Sequence, residues 1–144
     1  MDDREVGLEV WKATIEVQKH FNDIGIRIRS IAVTVLAAFL AVAGYAFKED
    51  NKALAGVILL ASLACWISFY LMDRAWYHRL LQAAVSHGER IEAGLMATIP
   101  NIDLTTRISA ASPVLGQSAG VRLSFFYLII GAILALTAGA LLRA

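Results

Sequence analysis

The sequence predicts an all-α membrane protein with three transmembrane helices and a cytosolic helical bundle formed by extensions of the first two. Its composition is the first indication, because 58% of the 144 residues are hydrophobic and only 17% are charged. Soluble domains carry about 25% charged residues. The distribution is the second, because residues 30–47, 53–72 and 123–142 contain no Asp, Glu, Lys or Arg. A helix needs roughly 20 apolar residues to cross a bilayer core, so each run predicts a span.

The rest of the chain divides around these spans. The link between the first two spans is so short that they must form an antiparallel hairpin. The connection before the third span holds both prolines, and Asp103 is a possible cap for a short helix within it. The predicted segments are a cytosolic amphipathic helix (1–29), the first span (30–47), an external turn (48–52), the second span (53–72), a cytosolic helix (73–96), a cytosolic connection (97–121) and the third span (122–143).

The positions of the basic residues predict the orientation. Five Lys and Arg precede the first span, five more lie between the second and third, and only Lys48, Lys52 and Arg143 remain for the other side. Loops rich in Lys and Arg stay in the cytoplasm. We therefore expect a membrane protein with its N-terminus in the cytoplasm and its C-terminus outside.

Both cytosolic helices carry apolar residues at helical spacing. In the arm these are Val6, Val10, Val17, Phe21, Ile24 and Ile28, and after the second span Leu80, Leu81, Ala84, Val85, Ile91 and Leu95. The two stripes either pack on each other within one chain or need neighbouring chains to become buried. We expect a mixture of the two, and hence a homo-oligomer in the lipid bilayer.

The sequence contains no pattern typical of an enzyme. The lone cysteine, Cys65, lies inside an apolar run, and His20, His78 and His87 have no convincing set of neighbouring ligands. The spans lack charged residues and histidine, which argues against ion-coupled transport. The net charge of +1 gives no reason to expect direct nucleic-acid binding. We expect a non-enzymatic protein without a metal or cofactor.

A basic cluster lies where the first two helices are expected to leave the membrane. Such residues commonly anchor membrane helices at the interface. They could also form an anion pocket between the two emerging helices, suited to a nucleotide or a lipid phosphate. The candidate ligand-binding residues are Arg27, Arg29, Arg74, His78 and Arg79. A more distal set, His87, Glu89, Arg90 and Glu92, is typical of a solvated face or a salt-bridge seam facing the arm.

The third span carries small residues at four-residue intervals: Gly131, Ala135 and Gly139. Small residues at this spacing let two membrane helices approach closely. The pattern predicts a helix-association face on this span and does not indicate whether the partner is another copy.

The charged helical arm, the tight hairpin and the Met72-Asp73-Arg74 exit into a cytosolic helix resemble the small multi-span membrane effectors of bacterial antiphage systems, including the SLATT type. The resemblance implies a self-associating effector of antiviral defence that perturbs or permeabilises the inner membrane when activated from the cytosolic side. A nucleotide or a protein would be the trigger. Since this chain has no separate ligand-binding domain, a partner protein or RNA complex could act instead. An accessory or scaffold subunit that recruits a soluble partner is the alternative.

Overall fold

The computed structural model describes residues 2–112 and 118–143. All regular structure within these residues is helical, as predicted, and three helices are long and apolar enough to cross a membrane. The elements are α1 (Asp3–Lys48), α2 (Lys52–Leu71), a π-helical segment (Met72–Tyr77), α3 (His78–Leu95), α4 (Leu104–Ala111) and α5 (Ala119–Leu141).

Helix α1 joins the charged arm to the first apolar run without a break over 46 residues, a length of about 70 Å. It begins with a capping box, in which the Asp2 side chain accepts a bond from the backbone of the first turn and Glu5 reaches back to the backbone of Asp2. The turn after α1 uses Asp50, whose φ of 57° lies in the left-handed region. Asn51 then caps α2 by accepting a hydrogen bond from the backbone N–H of Leu54 at 3.0 Å.

The second apolar run also continues directly into a charged helix, but through the π-helical segment. There the backbone N–H of His78 donates to the carbonyl oxygen of Asp73, five residues earlier. This wider turn inserts one residue into the helical register, and such insertions are frequent at functional sites. Consequently α3 presents its faces at a different angle from the one that a regular continuation of α2 would give.

The three apolar helical segments lie side by side with α2 in the middle, packed against α1 on one face and α5 on the other. Small residues bring α2 and α5 close together, since a Cβ atom on Gly56 would lie 3.5 Å from the carbonyl oxygen of Ala138. Nearer the π-helical end of α2, the indole Nε1 of Trp66 donates to the carbonyl oxygen of Tyr127 at 2.9 Å. The arrangement leaves one face each of α1 and α5 uncovered by the rest of the chain.

The small residues predicted as an association face on α5 point in different directions. A Cβ atom on Gly131 would lie 3.7 Å from both Leu63 and Trp66, so Gly131 packs against α2 within the chain. Ala135 is exposed, and no atom of the described chain lies within 4 Å of a Cβ on Gly139. Only the latter two are open to another helix, and association through them stays a prediction.

Residues 3–29 of α1, helix α3 and helix α4 pack together beyond the apolar segments, and we refer to them as the polar bundle. Helix α3 packs along α1, and α4 packs on α3. Gly88 allows the close approach of α4, because a Cβ atom at this position would lie 3.0 Å from the hydroxyl of Thr105. The amide of Gln18 bridges α1 and α3 by donating to the carbonyl oxygen of Ala84 at 3.1 Å.

A single carboxylate holds the polar bundle together. Glu92 on α3 is fully buried. It accepts hydrogen bonds from the Trp11 indole at 3.1 Å, the backbone N–H groups of Thr105 and Thr106 at 2.6 and 2.9 Å, and the Thr106 hydroxyl at 2.8 Å. Glu92 therefore caps the N-terminus of α4 from another helix while also contacting α1.

The short helix expected after Asp103 is α4, and Asp103 lies at its N-cap position without capping it through its side chain. The Asp103 side chain instead accepts from Arg107 Nε at 2.7 Å, within α4's own first turns. The capping site is already filled by Glu92, because a carboxylate delivered from α3 reaches two backbone N–H groups at once.

The environment of Glu92 favours its charged form. Burial by itself raises the pKa of a carboxyl group, but the backbone N–H groups of Thr105 and Thr106 and the indole of Trp11 outweigh it. Together they lower the pKa of Glu92 from an ordinary 4.5 to about 2. The charge is thus retained in the folded protein at any physiological pH.

We expect Glu92→Gln to destabilise the polar bundle by roughly 3 kcal/mol at pH 7. A carboxyl group whose pKa is lowered by folding stabilises the protein above its unfolded pKa, and this contribution is lost as pH falls from about 4.5 towards 2. The stability difference between wild type and variant, measured by thermal unfolding in detergent, should therefore be full at pH 7 and smaller at pH 3.

Glu89→Gln is the matched control, because Glu89 lies one turn earlier on α3 and makes no hydrogen bond within the described residues. Trypsin cleavage after Arg107 should be faster in the Glu92 variant only, since α4 loses its cap. Equal cleavage of the two variants would contradict the role assigned to Glu92.

Candidate functional site

A buried acidic side chain lies where the second helix leaves its apolar run. Asp73, in the π-helical segment, is only 1% exposed. Its carboxylate accepts hydrogen bonds from Arg29 Nε at 2.8 Å and Nη2 at 3.4 Å, and from the Tyr127 hydroxyl at 3.2 Å. Because Arg29 belongs to α1 and Tyr127 to α5, one carboxylate connects all three long helices.

Close backbone approach and aromatic packing position this junction. Gly25 lies one turn before Arg29, and a Cβ atom there would lie 3.4 Å from the Arg29 guanidinium and 3.8 Å from the Asp73 carboxylate. On the other side, the ring of Tyr127 packs between Trp66 and Tyr70, with centroid distances of 5.0 and 5.3 Å. The ring is fixed by these contacts, so its hydroxyl is held towards Asp73.

The cleft between α1 and the π-helical segment is small. Its volume is about 10 Å³, which fits roughly one water molecule. Its lining includes Phe21, Gly25, Asp73, Tyr77 and Arg29. The Arg29 guanidinium is already paired with the Asp73 carboxylate. The space between the two emerging helices is therefore too small for a nucleotide.

Two other predicted residues lie against the start of α5, and one of them, His78, also lines the cleft. A Cβ atom on Gly120 would lie 3.1 Å from His78 Nε2 and 3.2 Å from Arg74 Nη2. His78 is 8% exposed, and its buried Nε2 has no hydrogen-bond partner among the described residues. Burial, together with the adjacent Arg74 guanidinium, lowers the pKa of His78 from 6.5, so the imidazole is neutral at pH 7.

The structure thus brings together three of the five predicted ligand-binding residues. Arg29, Arg74 and His78 surround Asp73 and the first turn of α5. Arg27 and Arg79 are exposed and form no ion pair within residues 2–112 and 118–143.

Sequence reasoning did not identify the central role of Asp73 or the contributions of Tyr127 and Gly120. One signal for Asp73 was available, since it is the only acidic residue between Asp50 and Glu89 and directly follows an apolar run. Tyr127 lies inside a charge-free run, and nothing in the sequence distinguishes it from a lipid-facing aromatic residue.

The distal polar set does not act as a unit. Only Glu92 turns inward towards the arm, as described above. His87 and Arg90 are exposed, and Arg90 Nε donates to the carbonyl oxygen of Ser86 one turn earlier.

The described ranges contain no group of three or more His, Cys, Asp or Glu side chains that could hold a metal ion. No family model, no curated protein and no solved structure matches the chain.

Arg29→Leu should destabilise the protein by about 2 kcal/mol, because Asp73 would remain buried without its cation. Arg27→Leu removes the same charge two residues earlier from an exposed position and should cost less than about 0.5 kcal/mol. Thermal unfolding of both variants in the same detergent measures the difference. Similar losses in the two variants would show that the Arg29–Asp73 pair contributes no specific stability.

Proposed function

We propose that this protein is a non-enzymatic, self-associating inner-membrane effector, activated from the cytosolic side and acting by perturbing the bilayer. The observation that carries the proposal is an apolar stripe left uncovered on the arm of α1. The valine stripe, consisting of Val6, Val10 and Val17, lies outside the apolar run, and each of its side chains is 41–45% exposed. Exposure of these apolar side chains to water is unfavourable, so packing against a partner surface would stabilise the stripe.

The arm packs on α3 through a different face. Trp11, Thr14 and Gln18 are buried or half-buried there. Trp11 and Gln18 donate to groups on α3, and the Thr14 hydroxyl donates to the carbonyl oxygen of Val10 within α1. The apolar stripe expected from the sequence is therefore divided. The residues of this stripe nearer the apolar run, Phe21, Ile24 and Ile28, are half-buried or buried within the chain. The three valines, nearer the N-terminus, are exposed.

The spacing of the valine stripe suits a second copy of the same helix. Together with the exposed Ala13, the valines alternate steps of four and three residues, which is the seam pattern of a coiled coil. Copies inserted in one membrane with the same orientation present their stripes at the same height and in parallel. Tethering also raises their effective concentration, so a short seam suffices for association.

Coupling between the arms and the bilayer follows from helix continuity. Helix α1 runs unbroken from the arm into the first span, and α2 continues through the π-helical segment into α3. A change in how the arms associate would therefore tilt or rotate the spans directly. The three spans form an open row rather than a closed bundle, which supports rearrangement between neighbouring copies as the source of a membrane defect.

Cysteine cross-linking tests the stripe and the orientation together. In a Cys65→Ser background, Val10→Cys should form intermolecular cross-links in isolated membranes, because the stripes of adjacent copies are in contact. Lys12→Cys, exposed on another face of the same helix, is the control and should cross-link several-fold less. A membrane-impermeant maleimide should label neither site in intact cells, since the arm is proposed to be cytosolic.

Cross-linking that is equal at the two positions would contradict the valine stripe as the association surface. Labelling by the impermeant reagent in intact cells would instead contradict the orientation and leave the association result standing.

Bilayer perturbation is tested by inducible expression with a membrane-potential dye and a growth readout. Wild-type protein should depolarise cells under phage or partner challenge, and Val10→Asp with Val17→Asp should abolish depolarisation while the protein still reaches the membrane. A charge on the seam opposes close contact between arms. Absence of depolarisation by the wild-type protein under every challenge would contradict the effector function.

A scaffold that recruits a soluble partner is the second candidate, and one observation favours it. Helix α4 leaves Leu104 and Ile108 exposed on one face, the latter at 61%. Their spacing of four residues forms an apolar ridge on the polar bundle. Under the scaffold function, Ile108→Glu abolishes the growth phenotype and the valine substitutions do not, whereas the effector function predicts the opposite.

A further inference from the structure

We propose that Arg74, His78 and the first turn of α5 bind one phosphate group at the end of the apolar segments. This site goes beyond the proposed function and does not depend on self-association. No described residue supplies a hydrogen-bond partner for His78 Nε2 at this position. Three independent features of the structure converge on this position.

The first feature is an unused hydrogen-bonding group. His78 is more than nine-tenths buried, and its Nε2 has no partner within the described residues. A buried polar atom without a partner is costly, so native proteins generally supply one. Nε2 lies 3.1 Å from the Cβ position of Gly120 and therefore faces the first turn of α5.

The second feature is the backbone at this helix start. Ser118 caps α5, with its carbonyl oxygen accepting from the N–H groups of Val121 and Arg122 at 3.1 and 3.3 Å. The N–H groups of Ala119 and Gly120 have no acceptor within α5 and none among the other described residues. Gly120 also lacks a side chain, so Arg74 and His78 approach the backbone directly. Free N–H groups and the helix dipole both favour an anion here.

The third feature is the local balance of charge. Asp73, the one carboxylate close to His78, is occupied by Arg29 and Tyr127. Arg74 forms no ion pair within the described ranges, and Arg122 on the same turn of α5 has a buried Nη1 without a partner. Within the described residues the Arg74 guanidinium has no carboxylate partner, so an anion bound here would balance its charge.

The geometry specifies the class of ligand. Backbone N–H groups, an imidazole and a guanidinium together offer several donors to one compact anion, the pattern that suits a phosphate. The position at the end of the apolar segments matches the level of phospholipid headgroups. Either a lipid phosphate or a free phosphate could occupy it, and the two sources differ in whether they require a bilayer.

Nitrogen NMR of His78 in the full chain tests the site. A phosphate near Nε2 stabilises the protonated imidazole, so it should raise the pKa of His78. One arm uses nanodiscs of phosphatidylglycerol against nanodiscs of phosphatidylcholine, whose phosphate is masked by choline. The other arm uses detergent with and without millimolar inorganic phosphate. A shift with phosphatidylglycerol alone identifies a lipid ligand, and a shift in both arms identifies phosphate as sufficient.

Matched variants separate a defined site from general attraction. Arg74→Gln should weaken binding of inorganic phosphate or anionic lipid roughly tenfold, since it removes a charge-assisted hydrogen bond. Arg79→Gln removes the same charge from an exposed position one turn further on and should change binding less than twofold. Unchanged His78 titration in every arm, or equal losses in the two variants, would overturn the proposal.

Discussion

The carboxylate of Asp73 is the constraint on which the arrangement of the long helices depends. A charged group buried at the end of three apolar segments is tolerated only when a cation and further donors compensate the loss of hydration. Arg29 on α1 and Tyr127 on α5 supply that compensation. Their contacts link all three helices at one height, next to the Trp66–Tyr127 hydrogen bond and the close Gly56–Ala138 approach that join α2 and α5.

A second buried carboxylate plays the same part at the far end of the polar bundle. Glu92 satisfies two backbone N–H groups of α4 and the indole of Trp11. The arm thus packs on α3 through the face that carries Trp11, Thr14 and Gln18, and not through its valines. This choice has a consequence for function, because the valine stripe remains in water and is free to pack against another copy.

The π-helical segment links these two regions. One additional residue in the helix rotates α3 relative to α2, so that Asp73 and His78 both turn inward while Trp76 between them is 66% exposed. The same segment places Arg74 and His78 against the start of α5. Within two helical turns, this junction contains Asp73, which pairs with Arg29, and the Arg74 and His78 side chains, which have no such partner among the described residues. The stabilising ion pair and the proposed phosphate site therefore use different side chains.

The sequence by itself determined the helical class, the three apolar helices and the continuity of the charged arm with the first of them. Long charge-free runs and the absence of proline act locally, so they are readable without any knowledge of packing. The sequence also placed Arg29, Arg74 and His78 near one another, because all three flank the ends of apolar runs.

Only the tertiary structure decided which groups pair and which faces stay open. Arg29 and Asp73 are 44 residues apart, and Trp11 and Glu92 are 81 apart. Such pairs depend on the rotation of each helix about its axis, which the π-helical insertion and the glycine contacts set. A repeating pattern of valines indicates that one face of a helix is apolar. Whether that face packs within the same chain depends on which faces of the helix pack best against the neighbouring helices. Here the face of α1 that carries Trp11 and Gln18 packs on α3, and the valines are left exposed.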